Sequence, residues 1–81
     1  MLASYIDQAM KLVVYEIIED DETYWGEIPP LQGVWACHQS LEGCRRELRE
    51  VLSDWLALRL RLGLMIPAIS GINLNKLTEP V

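Results

Sequence analysis

The stretch from Tyr24 to Leu41 reads Tyr-Trp-Gly-Glu-Ile-Pro-Pro-Leu-Gln-Gly-Val-Trp-Ala-Cys-His-Gln-Ser-Leu, and it constrains this chain more than any other part. An aromatic strand, Thr23 to Ile28, ends at Pro29 and Pro30, because proline cannot donate to a β-ladder. Gly33 then lets the chain reverse into a second short strand, Val34 to Cys37. That reversal calls for a backbone conformation that a residue with Cβ resists. Ser40 follows as a helix N-cap, its hydroxyl placed to accept from a free amide of the first turn. Glu42 complements the positive end of the helix dipole. Gly43 occupies the position where a glutamate would close a capping box. A strand–turn–strand–helix unit is thus written into one continuous segment.

Periodicity organises the remainder. Leu2, Tyr5, Ile6, Ala9 and Met10 recur at three- and four-residue steps, which predicts a short N-terminal helix. Met10 to Ile18 is rich in β-branched residues and predicts a first strand. Leu12, Val14 and Ile18 fall on one face of it, Val13, Tyr15 and Ile17 on the other. Both faces are apolar, so cover is expected on both. Glu19-Asp20-Asp21-Glu22 forms a charged turn, and the two strands around it should pair antiparallel. After Ser40, the residues Leu41, Cys44, Leu48, Val51, Leu52, Trp55, Leu58 and Leu62 line one helical stripe. Leu56 and Leu60 fall off it. Gly63 is a natural stop, with Pro67 soon after. Ile72 to Leu77 alternates and suits a fourth strand. No repeat or linker divides the chain, so one domain over residues 1–81 is expected.

With 81 residues, a single core is marginal and self-association is a common source of further stability. The chain is 51% apolar, which favours a folded domain with apolar surface to spare. No apolar run reaches the ~20 residues that cross a bilayer. The N-terminus lacks a basic region ahead of an apolar segment, so a secretory signal is not expected. These features predict a cytoplasmic protein. A homo-oligomer is expected too, through Leu56 and Leu60 and the doubly apolar first strand; burying one such Leu contributes ~2 kcal/mol.

The net charge of −5 is unevenly placed. Residues 1–40 hold seven acids (Asp7, Glu16, Glu19, Asp20, Asp21, Glu22 and Glu27) against Lys11. Residues 41–81 hold five acids against six bases. An acidic half repels phosphate backbones and attracts basic partners. A basic protein is therefore favoured as ligand over nucleic acid or a membrane surface.

The residues that could carry chemistry have plainer readings. Cys37, His38 and Cys44 give three donors where tetrahedral zinc takes four, so no metal or other cofactor is expected. Adjacent strand residues diverge, so Cys37 and His38 do not make a catalytic pair. Asp20, Asp21 and Glu27 do not converge from separate elements as a two-metal nuclease requires. Arg45, Arg46 and Arg49 have Glu42, Glu47 and Glu50 at ion-pair spacing along the helix. Trp25 and Trp35 lie on neighbouring strands. They form either a cross-strand pair inside the core or an aromatic contact for another chain.

The order of these motifs resembles the HicB-like antitoxins. The resemblance rests on the acidic turn, Tyr24-Trp25-Gly26-Glu27-Ile28-Pro29, Leu31-Gln32-Gly33, Ser40-Leu41-Glu42 and the helix to Asp54-Trp55-Leu56. It covers roughly residues 10–67, and Gln32 stands where that family usually has a second proline. The resemblance implies an α+β fold of β-β-β-α-β order, likened to a degraded ribonuclease H fold, here with a short N-terminal helix. It also implies a non-catalytic protein that neutralises a basic, mRNA-cleaving HicA-type toxin. Glu19, Asp20, Asp21, Glu22, Trp25, Glu27 and Trp35 are the expected partner-binding residues. A self-assembling structural module without a toxin is the alternative expectation, and a residual ribonuclease H-like enzyme the third.

Overall fold

The helical periodicity at the N-terminus is realised as α1 (Leu2–Met10), which buries Tyr5, Ile6 and Ala9. In the computed structural model, which describes residues 2–20, 22–69 and 71–72, α1 is followed by the strands β1 (Val14–Ile18), β2 (Thr23–Glu27) and β3 (Trp35–His38). They form one antiparallel sheet in the order β1-β2-β3. The long helix α2 (Leu41–Leu62) closes the main architecture. No helix among the described residues is long and apolar enough to cross a membrane.

The register assigns side chains to faces. Glu16 lies opposite Trp25 and Val14 opposite Glu27, while Trp25 lies opposite Cys37 and Glu27 opposite Trp35. Opposed residues share a face, so Val14, Glu16, Ile18, Trp25, Glu27, Trp35 and Cys37 occupy one side. Tyr15, Ile17, Tyr24, Gly26, Ala36 and His38 occupy the other. Helix α2 packs on that second side, against β3 and β2. Gly26 and Ala36 are small and allow a close approach: the Cys44 thiol donates to the Ala36 carbonyl at 3.5 Å. A Cβ on Gly26 would lie 3.2 Å from Cys44 Sγ.

At ~1.5 Å per residue the helix outruns strands of this length. Beyond the sheet it packs Leu48, Leu52 and Leu56 with α1, the Ile28–Val34 turn, Ile66 and Ile69. This is where the core sits. Tyr5 enters it with its hydroxyl bonded to the Pro67 carbonyl at 2.6 Å. The caps follow the local sequence. Ser40 Oγ accepts from the Gly43 amide at 2.9 Å, and Gly63 ends the helix at φ 69°. Leu64 and Gly63 amides return to the Arg59 and Leu60 carbonyls, a Schellman closure. Gly33 has φ 90°, the left-handed conformation expected of that turn.

Several expectations are corrected. The first strand begins at Val14, because α1 runs through Met10 and the amides of Lys11, Leu12 and Val13 bond back to Gln8, Ala9 and Met10. Its two apolar faces are uncovered, all five residues being exposed, since α2 lies over β2 and β3. Leu56 is fully buried in the core and Leu60 packs partly buried against it. Leu56 is therefore unavailable as an oligomer contact, and Leu60 serves the chain's own core. The inward stripe is Cys44, Leu48, Leu52 and Leu56, a run of four-residue steps, while Leu41, Leu58 and Leu62 are exposed. Among the described residues the arginines make no ion pair along α2. Arg49 reaches across to Asp7 of α1 at 2.8 Å, and Arg59 lies 4.4 Å over the Trp55 ring. The expected fourth strand, apart from Ile72, lies outside the described residues.

Candidate functional site

The side of the sheet away from α2 carries the most unusual surface. Trp25 on β2 and Trp35 on β3 stack there, ring centroids 4.5 Å apart and planes 10° from parallel. Such stacking contributes ~0.5–1.5 kcal/mol beyond area burial, so the pair holds itself in place without cover. Trp25 is half-buried and Trp35 48% exposed. The tryptophan pair is thus a cross-strand stack at the surface, not inside the core.

Each indole has a carboxylate as its direct cross-strand neighbour, Glu16 beside Trp25 and Glu27 beside Trp35. Both glutamates are exposed. An aromatic plane flanked by carboxylates suits a guanidinium or ammonium, which gains attraction from the ring faces and from the charge together. Glu16 was missed in the sequence because it interrupts an apolar run and reads there as a solvated residue. The two-residue alternation with Val14 and Ile18 was the available signal.

The acidic turn lies elsewhere. Ile18 and Thr23 are the last pair of the β1–β2 hairpin, so Glu19, Asp20 and Glu22 sit at its tip. Four strand residues, ~13 Å at 3.3 Å each, separate that tip from Glu27. The structure therefore brings Trp25, Glu27 and Trp35 together, adds Glu16, and keeps the tip carboxylates as a separate exposed patch. Asp21 lies outside the described residues. Glu22 takes φ 52°, a left-handed conformation that a side chain disfavours.

The cysteines and histidine do not form a site. Cys37 is exposed on the tryptophan side, and Cys44 is buried under α2. Burial pushes the Cys44 thiol up, with Cys37 and Glu47 adding to the shift, so at neutral pH it remains a protonated donor. His38 Nδ1 accepts from the Ser40 amide at 3.1 Å. Among the described residues no three of His, Cys, Asp and Glu gather to hold a metal ion.

The UPF0150-like family model matches residues 4–67. This chain belongs to that family. The crystal structure of TTHA0281 from Thermus thermophilus is similar, with 42% sequence identity, a TM-score of 0.83 and coverage of 89% of either chain. That likeness supports the same compact α+β arrangement for this UPF0150-like chain. No functionally curated protein matches it. The matched residues contain the whole sheet, the Trp25–Trp35 stack and both flanking glutamates.

Proposed function

We propose that this chain is a cytoplasmic, non-catalytic, HicB-like antitoxin whose open sheet face masks a basic HicA-type toxin. The observation that carries the reading is the exposed Trp25–Trp35 stack with Glu16 and Glu27 beside it. Cationic side chains of the toxin would lie over the indoles and meet the glutamates, hiding the surface that the toxin needs for RNA. The tip residues Glu19, Asp20 and Glu22 would act earlier, steering a basic protein toward the sheet through long-range attraction. Motif order from Tyr24 to Trp55 supports the same reading.

The test is to look for a basic, toxin-sized reading frame beside this one and to measure its product by surface plasmon resonance at low and high salt. Replacing Glu19, Asp20, Asp21 and Glu22 with Ser or Gln should slow association several-fold at low salt and have little effect at high salt. Trp35→Ala should act mainly on dissociation, by about tenfold or more if the stack is a hot spot. Salt-independent association that the charge variant leaves unchanged would reject electrostatic docking and place the structural-module alternative ahead.

A further inference from the structure

Among the described residues, strand β1 has β2 on one side and no strand on the other. A free edge offers its amides and carbonyls to any approaching strand, and proteins commonly guard such edges with lysine, proline or a bulge. Val14-Tyr15-Glu16-Ile17-Ile18 contains no lysine or proline and pairs with β2 without a bulge. Ile17 is 64% exposed, and Leu12, Val14, Tyr15 and Ile18 are exposed with it. Next to Tyr15, on the α2 side, lies a groove of about 500 Å³. Met10, Val13, Tyr15 and Leu41 form its apolar lining, with Lys11, Glu42 and Arg45.

We propose that this edge pairs with the same edge of a second copy of the chain, antiparallel about a two-fold axis at Tyr15. Charge selects the direction. Lys11 precedes β1, and Glu19 and Asp20 follow it. Antiparallel pairing turns the Lys11 end of each copy toward the Glu19–Asp20 end of the other, whereas parallel pairing would set the acidic ends together. Charge also selects the register. An axis at Glu16 would oppose two carboxylates, which destabilises a cross-strand pair. Moving the axis to Tyr15 places Glu16 opposite Val14 of the other copy and turns Ile17 and Ile18 toward Val13 and Leu12, which lead into its strand. Ile17 then leaves water beside the groove of the second copy, and Arg45 and Lys11 there meet the incoming acidic end. The two sheets would join into one of six strands. This proposal uses the β1 edge; it shares Glu16 and the Glu19–Asp20 tip with the antitoxin reading, whose contact surface is the tryptophan face.

Sedimentation equilibrium of the full chain at micromolar concentration tests it, with circular dichroism as a check on folding. The wild-type chain should be a dimer. Ile17→Lys should weaken dimerisation by about a hundredfold, two tenfold steps for two symmetric contacts, with an unchanged spectrum because Ile17 contributes nothing to the core. Lys11→Glu should weaken it as well, and adding Glu19→Lys should restore it. A monomeric wild-type chain would overturn the proposal, whatever covers the edge, residues 73–81 included. So would a dimer indifferent to Ile17→Lys, and a charge swap without restoration would reject the antiparallel register.

Discussion

Replacing Gly43 with alanine should destabilise this protein, against the ordinary rule for helices. Alanine inside a helix is favoured over glycine by up to ~1 kcal/mol. At Gly43, however, an added Cβ would lie 2.7 Å from His38 Cγ and closer still to Nδ1 and Cε1. The imidazole cannot yield freely, because its Nδ1 accepts from the Ser40 amide at 3.1 Å and lies 3.2 Å from Ser40 Oγ. Ser40 Oγ in turn caps the Gly43 amide. Displacing the ring forfeits its hydrogen bond from the Ser40 amide at a water-accessible site, ~0.5–1 kcal/mol, and forces a rotamer change of ~0.5–1.5 kcal/mol. Set against the helical gain, the net loss is ~0.5–1.5 kcal/mol, or a fall of roughly 3–10 °C in Tm for a domain of this size.

Thermal melts of four proteins isolate the cause: wild type, Gly43→Ala, His38→Ala and the double variant. Once His38 is truncated the obstruction is gone, so Gly43→Ala should raise Tm in that background. The reversal of sign is the decisive quantity, and the coupling between the two positions should be ~1–2.5 kcal/mol. Equal effects of Gly43→Ala in both backgrounds would refute the packing explanation. The same geometry accounts for the glycine where a capping box would place glutamate. Ser40 still caps, and the imidazole takes the space that a third-position side chain would fill.

Two further outcomes follow from local geometry. Glu22 holds a left-handed backbone at the hairpin tip, so Glu22→Gly should raise stability by up to ~1 kcal/mol, read as a shift of a few degrees in Tm; an unchanged or lower Tm would contradict the strain. Cys37 is exposed and Cys44 buried, so a thiol reagent at neutral pH should modify Cys37 quickly and Cys44 only after unfolding in guanidinium, and equal rates for both in the folded protein would contradict the packing of α2 on Gly26 and Ala36.

Where turn chemistry and local periodicity decide the outcome, the sequence was legible. The Pro29-Pro30 stop, the left-handed Gly33, the Ser40 cap and the Gly63 closure each depend on neighbours within a few residues, and each took its expected form. Fold class was legible for the same reason. The rotation of α2 was not. Leu56 and Leu58 have equal claims by composition, and the choice between them depends on Ile28, Leu31, Val34, α1 and Ile66 lying beyond the end of the sheet. Nothing local to the helix records that arrangement. The exposed first strand was misjudged likewise, because two apolar faces speak for burial without saying whether this chain supplies it. At the candidate site the tryptophans were visible as alternatives, and only the register decided between them.

That register also makes the two proposed surfaces separable, although both draw on the sheet. Val14, Glu16 and Ile18 face the tryptophan side, while Tyr15 and Ile17 face the groove side. Joining two β1 edges would leave both Trp25–Trp35 stacks on the same outer face, with β1 of each copy between them. Across three strand intervals and the two-residue stagger of that register, the two Trp25 positions would stand ~16 Å apart. Two such platforms on one rigid sheet would engage paired cationic sites with avidity that a single chain lacks. Ile17→Lys breaks the edge contact and leaves the indoles intact, whereas Trp35→Ala removes an indole and leaves the edge intact. Dependence of partner affinity on Ile17 would therefore measure avidity, and dependence on Trp35 in the monomeric variant would measure the contact itself.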